Sequence, residues 1–416
     1  MYIKRAIEDV VLKCSKQFRV LLVTGPRQVG KTTMLKKLAK EEETETPRKY
    51  VSLDNTLYRS LAKNDPKLFL QEFEPPILID EIQYAPELLP YIKIYADNNE
   101  KRGQIWLTGS QPFHLMKNVS ESLAGRVGII EMLGLSNAEL HGSQTERFVP
   151  EKSYLQTRPN SLKQLGVNEL YGLIFRGFFP DATTCDIEFL DRYYESYLDT
   201  YLLRDIKDLN NVSDELKFRN FMQVCASLTG QPVNYSQIGR LADIDSKTAK
   251  SWLSILVSSY VVKLVQPYHN NLIKRVTKQP VLHFLDTGLA CYLSGWRDVK
   301  PLSLGQMSGH ILETFAFGEI YKSYINTGSM QPNIFFLRTT DQKEIDFVLQ
   351  ENGKLFPIEV KKASSITKKA TKHFELLDNL KDSTLPYERG CGCVLCMTDE
   401  PYPIDKQAWA YPLWAI

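Results

Sequence analysis

The sequence predicts an α/β chain that opens with a parallel sheet wrapped by helices, continues through a helical middle, and closes with a second, smaller α/β region. Three observations predict it. Short apolar runs alternate with helical stretches over the first 135 or so residues, and strand–helix alternation implies parallel pairing with crossover helices. Residues 20–24 and 77–79 are apolar without interruption, as strands covered on both faces are. The last third returns to short apolar strands after a single helix.

Length and composition bound the rest. The chain has 416 residues, more than one core holds, since cores stop growing near roughly 250–300 residues. A formal charge of +2 leaves any nucleic-acid surface to be local. No apolar run approaches the roughly 20 residues of a membrane span. Residues 1–10 alternate charge with apolar side chains, unlike a secretory signal, so no membrane partner and a cytoplasmic location are expected. Seven cysteines, an odd number mostly far apart, argue against a disulfide framework. Cys391, Cys393 and Cys396 lie close together, but a buried strand over 390–397 accounts for them better than zinc, which lacks a fourth ligand nearby.

The elements follow in order. Strands are expected at 20–24, 50–53, 77–79, 105–107 and 127–132. Helices are expected from 31 to about 42, before Pro75-Pro76, and over 88–98. Residues 142–166 are polar and without period, and read as a linker or a surface excursion. The pattern is helical from 173 to 209, then compact and helical from 218 to 285, ending in a strand pair. One helix and strands at 334–337, 345–349 and 356–360 complete the chain.

Gly25-Pro26-Arg27-Gln28-Val29-Gly30-Lys31-Thr32 fits a phosphate-binding loop, and it stands between a strand and a helix as that loop must. Glycine lets backbone N–H groups wrap phosphates, and the helix start adds partial positive charge. Lys31 is placed to reach the β- and γ-phosphates of ATP, and the Thr32 hydroxyl to bind Mg²⁺, with Thr33 beside it. Asp80 and Glu81 end the strand at 77–79, at the carboxyl edge where ligands bind. Asp80 can hold Mg²⁺ through water, and Glu81 can act as general base. Thr108, Ser110 and Gln111 follow the next strand as candidates to sense the γ-phosphate. Arg126 is a candidate arginine finger, in its own subunit or a neighbour's, and Arg204 is a weaker candidate of that kind.

The segments from Thr24 to Thr33, Asp80 to Gln83, Leu107 to Gln111 and Ser122 to Arg126, with Arg204-Asp205, Phe284 to Leu289 and Glu344-Ile345-Asp346, together resemble the prokaryotic AAA-type ATPases that carry a C-terminal DUF4143 domain. The resemblance implies a P-loop NTPase of the additional-strand, catalytic-glutamate class. In that class one strand separates the strands that carry the loop and the acidic pair, and Glu81 matches the catalytic glutamate. Where that family often shows Arg-Gly-Gly-Tyr-Pro, this chain has Arg176-Gly177-Phe178-Phe179-Pro180, and phenylalanine lacks glycine's backbone freedom.

In the middle, Ile238, Leu241 and Ala242 share a helical face, and Ser246 offers an N-cap to a helix carrying Ala249, Trp252, Leu253 and Leu256. With a strand at 261–265, this is the order of a winged helix. Lys247 and Lys250 would face outward, and Lys274, Arg275 and Lys278 follow. The unit fits DNA contact or a lid and interaction module; two lysines are a thin footprint and favour the second.

Near the C-terminus, Asp346, Glu359 and Lys361 on paired strands, with Glu313 on the helix before them, resemble a PD-(D/E)XK (restriction-endonuclease-like) core and a second Mg²⁺ site. Lys362, Lys368, Lys369 and Lys372 add charge suited to a phosphate backbone. The expected divisions are 1–140 (P-loop ATPase), 141–215 (linker and helical segment), 216–290 (winged-helix-like) and 291–416 (nuclease-like). The expected function is a Mg-dependent ATP-hydrolysing switch, with DNA and a second copy of the chain as candidate partners. The alternatives are a nucleotide-gated assembly protein with negligible turnover and an ATP-regulated, metal-dependent nuclease.

Overall fold

The computed structural model describes residues 2–42, 46–110, 119, 121–202, 214–268, 279–339, 341–380 and 387–416. The chain divides into two compact units. The first is Met1–Leu135 with Ser258–Tyr260 and Ile325–Met330; the second is Ser136–Val257, Val261–Tyr324 and Gln331–Ile416.

The first unit holds a sheet of β1 (Val20–Thr24), β2 (Lys49–Ser52), β3 (Ile77–Asp80), β4 (Ile105–Gly109) and β5 (Val127–Glu131) in the order β2-β3-β4-β1-β5. Every pairing is parallel. β1, β3 and β4 are buried at every residue, which is why their sequences are uninterrupted apolar runs. The connecting helices are α1 (Glu8–Gln17), α2 (Lys31–Glu41), α3 (Thr56–Asn64), α4 (Pro66–Glu72) and α5 (Leu88–Asn98). Asn55 starts α3 by accepting from the Leu57 and Tyr58 amides, and Asp65 caps α4 with Pro66 in its first turn. Val20, Leu22, Ile77, Ile79, Ile105 and Leu107, alternate positions of three neighbouring strands, pack into one core with Leu88, Leu89 and Ile92 of α5. Each such side chain contributes about 1.5–3 kcal/mol by leaving water. With all strands parallel, the ends of β1, β3 and β4 open on one edge of the sheet.

The second unit begins with residues 136–166, and here the structure corrects the linker reading. Phe148 is fully buried, and its amide donates to Ser323 Oγ at 3.0 Å. Buried Arg158 donates to the Gln144 carbonyl at 2.7 Å. Buried anchors spaced as unevenly as Phe148, Leu155 and Leu165 leave no period to read.

The turn at Gly177 explains the missing second glycine. Gly177 has φ +80, and a Cβ there would lie 2.2 Å from the Tyr194 hydroxyl. Phe178 keeps an ordinary negative φ and buries its ring against Phe315. The conformational demand falls on the residue that is glycine. Asp286 ties this turn to the next helix by accepting from the amides of Phe178 at 2.7 Å and Leu289 at 2.7 Å.

The helices Tyr235–Ala242 and Ser246–Ser258 meet at a turn where Asp243 has φ +54. Ala249, Trp252, Leu253 and Leu256 are buried as their spacing predicts, but Leu241 is 56% exposed. The first helix has only two turns and gives the core Ile238, Gly239 and Ala242 instead. The cap of the second helix is Asp245, which accepts from the amides of Lys247 and Thr248, so Ser246 lies inside the helix.

The second unit's strands are β6 (Gln231–Pro232), β7 (Val262–Pro267), β8 (Val281–Phe284), β9 (Ile334–Arg338), β10 (Glu344–Glu351), β11 (Lys354–Val360), β12 (Glu388–Arg389), β13 (Gly392–Cys396), β14 (Tyr402–Pro403) and β15 (Ala408–Pro412). They form one sheet in the order β14-β15-β13-β11-β10-β9-β7-β8-β6, with β12 beside β11. The parallel ladder from β7 to β9, Gln266 opposite Phe335, makes a single sheet of segments that the sequence reading separates. β13 is buried throughout and its cysteines are free thiols. Among the described residues no helix is long and apolar enough to cross a membrane.

Candidate functional site

β1 ends at Thr24 and α2 begins at Lys31, so the loop between them sits at the carboxyl edge of the first sheet. Gly25 has φ +143, and a Cβ there would lie 2.0 Å from the Met132 carbonyl oxygen, so only glycine fits. Gly30 precedes α2 with φ +91. Lys31 is buried, and its ammonium donates to the carbonyls of Gly25 at 2.9 Å and Pro26 at 2.6 Å. Its charge therefore lies inside the curve of the loop. Pro26 and Val29 are buried, Arg27 and Gln28 are half-buried, and Thr33 points outward on the exposed side of α2.

β4 lies between β1 and β3, as the additional-strand class requires. This spacing brings the end of β3 to the loop. Thr32 Oγ1 donates to Asp80 Oδ1 at 2.7 Å, Tyr50 donates to Asp80 Oδ2 at 2.9 Å, and Thr108 also donates to Asp80 Oδ1. Burial, with the Asp80 charge beside it, pushes the Tyr50 phenol up to about 12, which keeps it a donor. Thr108 is thus turned toward the acidic pair: its hydroxyl also accepts the Glu81 amide at 3.1 Å.

Glu81 follows β3 with φ +59, a left-handed backbone uncommon outside glycine and asparagine. Its Oε1 lies 3.8 Å from Arg27 Nη1, and its Oε2 accepts from Ser110 Oγ at 3.2 Å and from the Gln83 amide. Ser110 stands just past the end of β4. The structure therefore gathers Gly25, Lys31, Thr32, Asp80, Glu81 and Ser110 around one edge of one sheet.

Sequence reasoning missed two supporting residues. Tyr50 reaches Asp80 from the neighbouring strand. Arg5 is buried and donates to the carbonyls of Val29 at 2.7 Å and Leu133 at 2.8 Å, bracing the loop from outside the motif. Neither carries a local signal, because each contact joins residues distant in sequence.

Arg126 is corrected in one respect. It precedes β5, and its carbonyl accepts from the amide of Val20, the first residue of β1, so it stands at the amino edge of the sheet. The five residues of β1 separate that edge from the loop by roughly 16 Å, beyond an arginine's reach. Its guanidinium instead grips Asp97 at the end of α5, Nη2 to Oδ2 at 3.1 Å, beside an open cleft also lined by Arg19 and Arg102. Arg126 thus cannot serve the phosphates of its own chain. Gln111, Arg204, Lys274, Arg275 and Lys278 lie outside the described residues.

The second expected site lies within the second unit. Phe347 pairs with Ile358, and the same register places Asp346 opposite Glu359. A bulge against β9 falls between Ile345 and Val348 and re-aims this stretch. Lys361 donates to Glu359 at 2.6 Å and lies 3.7 Å from Asp346, which itself accepts the Val360 amide at 2.8 Å. Glu313 approaches from the helix Ser308–Asn326, 3.7 Å from His310. Burial and the nearby Asp346 carboxylate push Glu359 up to about 8, and Glu313 upward too. Burial opposes the charge on Lys361, but Asp346 and Glu359 outweigh it and hold the ammonium charged. Among the described residues, no three or more His, Cys, Asp or Glu side chains are grouped to hold a metal ion. The arrangement is two carboxylates bridged by a lysine.

Residues 17–141 match the profile of an AAA domain, and residues 308–416 that of the domain of unknown function DUF4143. The chain carries an AAA domain and a C-terminal DUF4143 domain. Residues 167–300 match a further domain of unknown function, DUF8612. The uncharacterized proteins Rv2008c of Mycobacterium tuberculosis and Mb2031c of Mycobacterium bovis are each 27% identical over 348 residues, 83% of this chain and 71% of theirs. A signal-transduction ATPase with numerous domains and a tetratricopeptide repeat sensor, from Pyrococcus horikoshii, is 14% identical with a TM-score of 0.25. That likeness covers 79% of this chain and 48% of the other, and does not extend to function. The DUF4143 region holds the Asp346–Glu359–Lys361 group, and the AAA domain the whole of the loop and acidic pair.

Proposed function

We propose that the AAA domain binds ATP with Mg²⁺ and hydrolyses it, with Glu81 as the general base. The observation that carries this is the meeting of Thr32 and Asp80 at 2.7 Å beneath the glycine loop, with Glu81 one residue on. The Thr32 hydroxyl and Asp80 carboxylate form the oxygen donor set that suits a hard cation shared with phosphates, so these residues fit Mg²⁺. Bound there, Mg²⁺ supplies charge neutralisation at the β- and γ-phosphates. The rest belongs to the chain. The loop amides and the start of α2 take the phosphates, Lys31 turns its ammonium from carbonyls to phosphate oxygens, and Glu81 accepts the proton of the attacking water.

Arg126, on the opposite edge from its own loop, is exposed enough to be offered to a second copy. In this proposal the oligomer completes the site by supplying the charge that stabilises the transition state. The test is nucleotide binding and turnover in three variants. Lys31→Ala loses binding. Glu81→Gln keeps binding and loses turnover by 100-fold or more. Arg126→Ala keeps binding and loses turnover, and mixing it with Lys31→Ala restores turnover, because the Lys31→Ala subunit still offers Arg126 to the intact loop of its neighbour. Wild-type turnover in Glu81→Gln sinks the base assignment and favours nucleotide as a structural ligand.

A second reading concerns the DUF4143 domain. The facing of Asp346 and Glu359, with Lys361 across both, favours cleavage of a nucleic-acid backbone, in which substrate phosphate oxygens would have to complete a metal donor set that the chain alone does not group, the exposed Lys247 and Lys250 adding contact elsewhere on the chain. Wild type and Asp346→Ala are compared on single- and double-stranded DNA with Mg²⁺ or Mn²⁺, with and without ATP. Cleavage by wild type alone supports this reading; cleavage by neither returns the domain to binding or assembly.

A further inference from the structure

We propose that Gln83 is a positioning residue for ATP hydrolysis: its amide N–H₂ holds Glu81 and Ser110 together while its carbonyl oxygen receives the attacking water. This rests on the assignment of Glu81 as base.

Three observations carry it. The Gln83 side-chain nitrogen donates to Glu81 Oε2 and to Ser110 Oγ, the latter at 3.2 Å, and Ser110 Oγ donates to Glu81 Oε2 at 3.2 Å, closing a triangle of three side chains. A carboxylate only accepts, so the nitrogen of Gln83 must face Glu81 and the orientation of the amide is settled by chemistry. The carbonyl oxygen of that amide is buried and has no hydrogen-bond partner among the described residues. A buried carbonyl without a donor is costly, and a site retains such an atom where a ligand donates to it.

The missing donor has a defined character. Glu81 Oε2 is taken by two donors and Oε1 faces Arg27. The attacking water has two O–H bonds, and Glu81 accepts one of its protons. The second O–H needs an acceptor close to Glu81, and Gln83 Oε1 is on the group already bonded to it. In the step itself, the water oxygen forms the new bond to the γ-phosphorus, the bond to the bridging oxygen breaks with its electron pair on ADP, and the proton passes to Glu81. Gln83 changes no bond; it fixes where the water stands.

The variant is Gln83→Met, which keeps length and volume and removes both donor and acceptor. Turnover and KM, the dissociation constant of a fluorescent ATP analogue and Tm are measured beside wild type and Glu81→Gln. Turnover is expected to fall roughly 10- to 100-fold with binding and Tm unchanged. Wild-type turnover in Gln83→Met with an inactive Glu81→Gln overturns the proposal alone. Loss of binding or of Tm in step with turnover also overturns it, in favour of a purely structural glutamine. Wild-type turnover in Glu81→Gln, or none in wild type, overturns the base assignment and this proposal with it.

Discussion

At Glu359 two effects act in the same direction. The carboxyl is buried on β11, and the register sets Asp346 directly across from it; both disfavour its charge and push it up to about 8 from an ordinary 4.5. Between those values the folded chain holds a proton that the unfolded chain has released. The stabilisation is therefore complete below about pH 4.5 and is lost as pH rises through about 8. Glu313, raised by the same burial and the same Asp346, adds to the slope. The expected outcome is a Tm that declines from pH 5 to pH 8, with a shallower decline in Glu359→Gln, measured by thermal unfolding in matched buffers. Equal slopes in the two proteins would remove Glu359 as the titrating group. Residues of this kind divide in their legibility. Lys31, Thr32, Asp80 and Glu81 could be placed from the sequence because their chemistry is bound to local spacing. Arg5 and Tyr50 could not, because their partners lie on other strands and loops, and Arg126 stays open between its own subunit and a neighbour's until the sheet shows which edge it occupies.

The helix pair in the second unit shows what an element's sequence conveys. In Ser246–Ser258, Ala249, Trp252, Leu253 and Leu256 recur at the helical period and all four are buried. In Tyr235–Ala242 two turns are too few for the same averaging, and Leu241 falls outside the core. What the shorter helix contributes is absence of a side chain: a Cβ on Gly239 would sit 2.7 Å from the Ile244 carbonyl oxygen, in the turn that carries the chain into the next helix. Gly239→Val is expected to lower stability by about 1–3 kcal/mol, read as a fall of several degrees in Tm, while ATP-analogue binding is kept. An unchanged Tm would mean that the turn yields without cost. The two-residue strands β6, β12 and β14 had no sequence signal, since so short a strand is defined by the ladder that receives it.

For the whole molecule, the division into two compact units predicts two calorimetric transitions, of which ATP with Mg²⁺ raises one and leaves the other, because a ligand stabilises only the unit that binds it. A single transition that shifts as one would show that the units unfold together. The sequence conveyed the α/β class and the first sheet, whose strands follow one another in a regular alternation. It divided the later chain in more places than the structure does, because the β7–β9 ladder joins strands with an intervening strand and a long helix between them, beyond any local pattern. That ladder has a consequence for how such genes can be recombined. A crossover between β8 and β9 would hand each descendant half of one sheet, β7 and β9 each exposing a row of bare backbone amides and carbonyls that invites pairing between unrelated chains. The segments on either side of that point are therefore expected to be inherited together, and shuffled into new proteins only as a block.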